Sequence, residues 1–352
     1  MTAVGEPLVR TTFPLEEVRE GRARVRVVGC GVCHTDLGYL FDGVKPRAPL
    51  PLALGHEISG VVEEAARGFE HLVGKAVIVP AVTPCGKCSD CEEGWGTICS
   101  AQEMPGNDVQ GGFASHVDVL AHGLCEVGPA SLESADVVEN SGCTLAELSV
   151  VADAVTTPYQ AMSRAKVREG DFVVVIGLGG VGGFAAQIAS ALGAKVVGFD
   201  LDAGRLELLG SHGVDLALDP TQNDARGWKK KLRAFAEENG CSPKRWKIFE
   251  CSGSTAGQAL AYGLLVHGAY LGVVGYTMGK LEVRLSNLMA FDAKAAGNWG
   301  CLPKHYPGAL RLVLDGKVAV KPFVETFPLE EVQSVLDRVH AHELGKRAVL
   351  LP

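Results

Sequence analysis

The sequence predicts a β-rich body joined to a doubly wound α/β domain, and three observations carry that prediction. From Arg24 to about Val150, short β runs such as "ARVRVVGCGV", "ISGVVEEA" and "GKAVIVP" are broken by Gly and Pro, as strands joined by long loops are. From Asp171, strand and helix alternate through "DFVVVIG", "GVGGFAAQIASALGA", "KVVGFD" and "AGRLELLGSHG", the pattern of a parallel sheet with helices on its faces. After "AYLGVVGY" the alternation weakens, and the stretch "KPFVETFPLEEVQSVLDRVHAHELGKRAVLLP" ends in one amphipathic helix and a strand that return to the first body. The expected division is a first domain over 1–153, completed by 296–352, and an α/β domain over 154–295. At 352 residues both can carry a full core.

Composition limits what such a chain can do. It is 47% hydrophobic and 21% charged, with a formal net charge of -8, which disfavours nucleic acid or an anionic membrane as the general partner. The uncharged run "FVVVIGLGGVGGFAAQIASALGA" has transmembrane length, but its glycines divide it into strand, turn and helix. No charged leader precedes an apolar signal segment. A cytoplasmic setting is expected, in which the 11 cysteines are ligands or reduced core residues and not disulfides.

Taken in chain order, the first candidate is "GVCHTD", with Cys33, and the second "LGHEISG", with His56. Together they offer zinc a soft and a borderline ligand. A third ligand must come from elsewhere; Asp153 in "VADAVTTPYQAM" is the candidate, with Glu57 and Cys143 as rivals. Thiolate, imidazole and carboxylate would leave one position open for a substrate oxygen. Between them lies "CGKCSDCEEGWGTIC", where Cys85, Cys88, Cys91 and Cys99 at C-x2-C-x2-C-x7-C spacing read as a closed structural zinc site, with an iron–sulfur cluster as the alternative.

Further on, "VVVIGLGGVGGF" places Gly177, Gly179 and Gly182, with Gly180 and Val181 in the same turn, between a strand and a helix. There a pyrophosphate can approach the helix N-terminus. Asp200 closes the next strand, about 20 residues on, where a carboxylate binds an adenosine ribose diol, so NAD is expected over NADP. Arg205 follows it and reads mainly as a helix-surface residue. The run "WKKKLR", Trp228 to Arg233, reads as a solvated helix face.

These motifs, in the order "GVCHTD", "GHE", the four-cysteine lobe, "TTPYQA" and "GLGGVG", resemble those of the zinc-containing medium-chain alcohol dehydrogenases over almost the whole chain. The resemblance implies a GroES-like β domain, a Rossmann domain, one catalytic and one structural zinc, NAD, and a homodimer or homotetramer. It implies Cys33, His56 and Asp153 as catalytic zinc ligands, Asp36 as the partner that orients His56, Glu57 as an acidic neighbour of the metal, and Thr35 as the first proton acceptor. Many members carry a histidine at the position of Gly38, where this chain has either a turn glycine needing positive φ or clearance for a bulky ring. Asn298 and Trp299 in "GNWG" fall where the family lines its substrate cleft. The stretches "GCGVCHTDLGYLFDGV", "PLPLALGHEISG", "AAGNWGCLP" and "VLDGKVAVKPFVE" narrow the resemblance to a member that oxidises a ring alcohol on a CoA thioester in aromatic compound degradation, for which Lys45 and Arg47 are candidate phosphate contacts. The competing readings are a generic secondary alcohol or polyol dehydrogenase, a zinc-free enone reductase, and a non-catalytic zinc-binding interaction protein.

Overall fold

Where the sequence alternates apolar and polar residues and breaks on Gly, antiparallel strands form; where it runs apolar without alternation, a buried parallel sheet forms. The structure, a computed structural model, describes residues 1–128 and 137–352. The chain makes two units, one of Met1–Thr156, Gly300–Gly316 and Val320–Pro352, the other of Thr157–Trp299 with Lys317–Ala319.

The first unit is built on β1 (Arg22–Gly31), β2 (Glu57–Ala65), β3 (Ala76–Val79), β4 (His116–Leu120) and β5 (Cys125–Gly128). The returning segment adds β12 (Val324–Pro328) and β13 (Arg347–Leu351), and the sheet order is β12-β13-β1-β2-β3-β5, with β4 on β1. Two helices of this unit, α1 (His34–Leu40) and α2 (Ser89–Glu92), lie in loops of the β body, and the other two, α9 (Tyr306–Leu314) and α10 (Val332–His340), come from the return. Val25, Ile58, Val62, Val77 and Val117 form one core, while Leu37, Leu40, Leu54, Val335 and Leu350 form a second that packs α1 and α10 together.

The second unit begins with α3 (Thr156–Arg164). A parallel sheet follows, of β6 (Phe172–Ile176), β7 (Lys195–Phe199), β8 (Leu216–Leu218), β9 (Lys247–Glu250), β10 (Tyr270–Val273) and β11 (Lys294–Gly297). Its order is β11-β10-β9-β6-β7-β8, the doubly wound arrangement expected from the alternation. The helices are α4 (Gly182–Ala191), α5 (Ala203–Gly210), α6 (Ala225–Glu238), α7 (Thr255–Gly263) and α8 (Ser286–Ala290). Every residue of β6 is buried, as a central parallel strand requires, and Trp228, Leu232, Trp246, Ile248 and Leu271 fill the core beside it. Among the described residues no helix is long and apolar enough to cross a membrane.

Candidate metal centres and cofactor cradle

In the first unit, strand register assembles the catalytic candidates. Gly31 at the end of β1 pairs with Glu57 at the start of β2, and on its other side with Val349 of β13. A Cβ on Gly31 would stand 2.2 Å from Glu57 Oε2, so only glycine lets the two strands meet beside that carboxylate. The chain then turns into α1, with Cys33 at its N-cap. Asp36, in the first turn, accepts from the Cys33 N–H at 2.9 Å and from the Gly55 N–H at 3.0 Å. One buried carboxylate thus fixes both the cysteine turn and the residue before His56.

Asp153 arrives from a buried 3-10 segment, Glu147–Ala152. That segment is tied to the sheet by the Ser59 hydroxyl, which donates to Leu145 O at 2.6 Å, and Ala152 O accepts from the Thr156 hydroxyl at 3.0 Å and from the Tyr306 hydroxyl. The ligand atoms of Cys33, His56, Glu57 and Asp153 lie within 4.8 Å of one another. Asp153 Oδ2 is 3.9 Å from Cys33 Sγ and 3.7 Å from His56 Nε2, while His56 Nδ1 faces Asp36 Oδ1 at 3.7 Å. Tetrahedral zinc with its usual bond lengths separates such ligands by about 3.4–3.6 Å, so the ion fits with little adjustment. The imidazole presents one nitrogen to the centre and the other to a carboxylate, the arrangement that orients a metal-bound histidine.

Charge supports the same conclusion. Cys33, Asp36, Glu57 and Asp153 offer four potential negative charges to a buried site, and Arg347 is the cation that meets them, with Nε on Glu57 Oε2 at 2.8 Å and Nη2 on Oε1. Burial opposes a charge on His56, yet Asp36 and Asp153 outweigh it and raise its pKa, as expected where carboxylates outnumber cations. Burial raises the Glu57 carboxyl to about 7 against the opposing pull of Arg347. A divalent ion would relieve this excess.

Sequence reasoning missed Arg347. It lies 290 residues from Glu57, and only the pairing of β13 with β1 brings the two together. Cys143, the rival ligand, stands apart from the cluster with its thiol on Ser141 O at 3.4 Å. Thr35 Oγ1 is 3.7 Å from Cys33 Sγ. Gly38 is neither a turn residue nor left-handed: it lies inside α1, outside the positive-φ glycines, and an added Cβ would touch only Val44, at 3.5 Å. Arg47 is turned to Asp108 at 3.4 Å.

The second metal candidate is Cys85, Cys88, Cys91 and Cys99. Four of their Sγ–Sγ separations are 3.5, 3.5, 3.7 and 3.9 Å. A disulfide would need about 2.05 Å, and thiolates about 2.3 Å from a single tetrahedral zinc stand about 3.8 Å apart. The iron–sulfur alternative is excluded on the same ground, because thiolates bound to different irons of a cluster are spread wider than the edge of one tetrahedron.

In the second unit, Gly177 has φ +81 at the end of β6, and a Cβ on Gly182 would stand 1.7 Å from Gly177 O, so both positions demand glycine. A Cβ on Gly179 would have only Arg205 Nη1 near it, at 3.9 Å, which leaves the turn open on the side where a pyrophosphate would lie. Asp200 follows β7 and accepts from the Leu178 N–H at 2.6 Å, so its carboxylate is set against this turn. Arg205 is 3.8 Å from Asp200 and from Asp202. Gly180 and Val181 complete the turn into α4. Asn298 ties β11 to α3: its amide donates to Thr157 O at 3.2 Å and accepts from Arg164 at 3.1 Å and Gln160 at 3.3 Å. Trp299, 52% exposed, is the side chain beside it that is offered outward.

Residues 19–129 match the alcohol dehydrogenase GroES-like domain family, and residues 180–315 match the zinc-binding dehydrogenase family. An alcohol dehydrogenase of Geobacillus stearothermophilus is 30% identical over 347 residues, 98% of this chain and 96% of that protein. A sorbitol dehydrogenase of Halalkalibacterium halodurans is 28% identical over 310 residues, 86% of this chain and 83% of that protein. The solved alcohol dehydrogenase of Aeropyrum pernix matches with a TM-score of 0.86 at 27% identity, covering 100% of this chain and 98% of its own. Galactitol-1-phosphate dehydrogenase from Escherichia coli, at 22% identity and a TM-score of 0.87 over 100% of this chain and 98% of its own, shares the fold.

Proposed function

This chain belongs to the zinc-binding alcohol dehydrogenase family, and from that premise we propose that it oxidises the ring hydroxyl of 6-hydroxycyclohex-1-ene-1-carbonyl-CoA to the 6-oxo thioester with NAD, a step of anaerobic benzoyl-CoA degradation. The coarser statement stands on the family itself: the protein is a zinc-dependent oxidoreductase acting on CH–OH groups. The buried group of Cys33, His56 and Asp153, fitted to one divalent ion, is the observation that carries the chemistry. The ring-thioester substrate is supported by the sequence stretches Gly29–Val44, Pro49–Gly60, Ala295–Pro303 and Val313–Glu325.

Cys33, His56 and Asp153 would hold a zinc ion that would supply Lewis acidity to a substrate hydroxyl, and the Gly177–Gly182 turn would hold NAD, which would supply the hydride acceptor. The chain's own residues do the rest. Asp36 holds His56 in the orientation that leaves Nε2 for the metal, and Arg347 pairs with Glu57, opposing the burial that favours its neutral form. Thr35 takes the hydroxyl proton, since its own hydroxyl can accept and donate at once. With glycine at 38, α1 has no imidazole at that position for a further relay, and the proton passes to water beside the exposed His34. Asp200 holds the adenosine ribose and favours NAD over NADP. Trp299, exposed beside Asn298, offers an aromatic face to the ring. Cys85, Cys88, Cys91 and Cys99 would hold a structural zinc.

A homodimer or homotetramer in a cytoplasmic setting completes this reading. It is supported by the exposed edge strand β11 and by exposed Tyr276, Met278, Leu285 and Met289 in the segment before it. Light scattering of the purified protein tests it.

A second reading, oxidation of small secondary alcohols or polyols, is favoured by the sorbitol dehydrogenase relative. NADH absorbance separates the two. A rate with NAD and the ring thioester, and none with the free acid or cyclic alcohols, supports the thioester; equal or better rates on the plain alcohols overturn it and leave the dehydrogenase standing.

A further inference from the structure

The second unit carries a feature that alcohol oxidation does not use. Arg226, Lys229, Lys230 and Arg233 of α6 line one open groove of about 420 Å³, with Ala234 and Glu237 completing its wall. They are not a scatter of solvated charges. Spacings of three and four residues place Arg226 beside Lys229 and Lys230, and Arg233 beside the same two lysines, so four like-charge neighbours share one helix surface. None of the four forms an ion pair among the described residues.

Lys229 is anchored at the back of this groove. Its ammonium donates to Leu265 O at 2.8 Å and lies 5.3 Å from the Phe291 ring centroid, so it cannot swing away from its neighbours as a free surface lysine would. Burial, with repulsion from Arg233 second, lowers its pKa. Charge order along the helix adds to the cost: the cations run from Arg226 to Arg233, before Glu237 and Glu238 in its last turn, the reverse of what the helix dipole favours. A chain with net charge -8 thus concentrates four cations in one concave place, where Glu237 is the one acid among the lining residues. Local rules broken together at one site are the mark of a ligand that restores the balance.

We propose that the Arg226–Arg233 groove of α6 binds a di- or triphosphate group of a soluble small molecule, at a site separate from the Gly177–Gly182 turn. Two arginines suit phosphate oxygens through paired N–H donors, and two lysines add point charge. Closely spaced phosphates match four cations on one surface better than the single carboxylates of a peptide.

The test is calorimetric titration of inorganic tripolyphosphate into the zinc-loaded protein at low salt, with NADH saturating so that the cofactor turn is filled. Saturable binding of one equivalent is expected, weakened at least tenfold in Arg226→Gln/Arg233→Gln and unchanged in the control Arg67→Gln/Lys280→Gln. Parallel titrations with ATP and with free CoA identify the source. Tighter binding than tripolyphosphate, lost in the same double variant, assigns the site to a nucleotide-borne phosphate group; equal binding assigns it to the phosphates alone. No heat from any of the three, equal loss in the control variant, or equal affinity for a short polyglutamate would overturn the proposal. Thermal unfolding of each variant confirms that the exposed substitutions leave the fold intact.

Discussion

Arg347 donates to both oxygens of Glu57, and the two side chains are 6% and 0% exposed. Arg347→Met keeps most of the stem and strands a buried carboxylate, so a loss of roughly 3–5 kcal/mol is expected, read from the urea midpoint at constant m. Adding Glu57→Gln should recover much of it, because a buried pair is replaced more cheaply than it is broken. A loss below about 1 kcal/mol in the single variant would show that Glu57 is neutral in the native protein. Gly38 leads to the opposite expectation. It sits inside α1 with room for a methyl group, so Gly38→Ala should gain roughly 0.5–1 kcal/mol and leave turnover within about twofold. A tenfold fall in turnover on the ring thioester alone would show instead that the empty space at this position serves the substrate.

At the scale of elements, the four-cysteine lobe depends on its metal more than any other part. Its helix α2 has four residues and buries none of them, and the neighbouring turn Gly96–Ile98 has three, of which only Gly96 and Thr97 are buried. No core of its own holds this lobe in place. Removing the metal with a chelator should therefore abolish amide exchange protection across 85–99 while β6 and β9 keep theirs; protection retained in the lobe would mean that packing alone suffices. The β6–α4 turn fails differently. Gly182→Ala forces a Cβ to within 1.7 Å of Gly177 O, so the turn must open, and NADH affinity measured by fluorescence should fall at least about 100-fold. Unchanged affinity would remove this turn from the cofactor site. Both elements were legible in the sequence because their spacing is local: four cysteines within one loop, and three glycines between one strand and one helix, leave the chain few ways to arrange itself.

Across the whole molecule, legibility falls as separation along the chain grows. The doubly wound sheet could be read from alternation, since each βα unit declares itself within about 30 residues. Of the two expectations for Gly38 the positive-φ turn is overturned, because glycine signals a special backbone only on average and here it occupies an ordinary helical position. Arg347 could not be read at all, because its partner is set by the register that puts Val349 and Glu57 on opposite sides of Gly31. That register has a consequence in time. A ribosome working at about 5–20 residues per second needs roughly 15–60 s to travel the 290 residues from Glu57 to Arg347. Throughout that interval the nascent chain already carries Cys33, His56, Glu57 and, later, Asp153, but not the cation that neutralises them. Glu57 therefore gains its charge partner only when the end of the chain pairs with the strand made near its start.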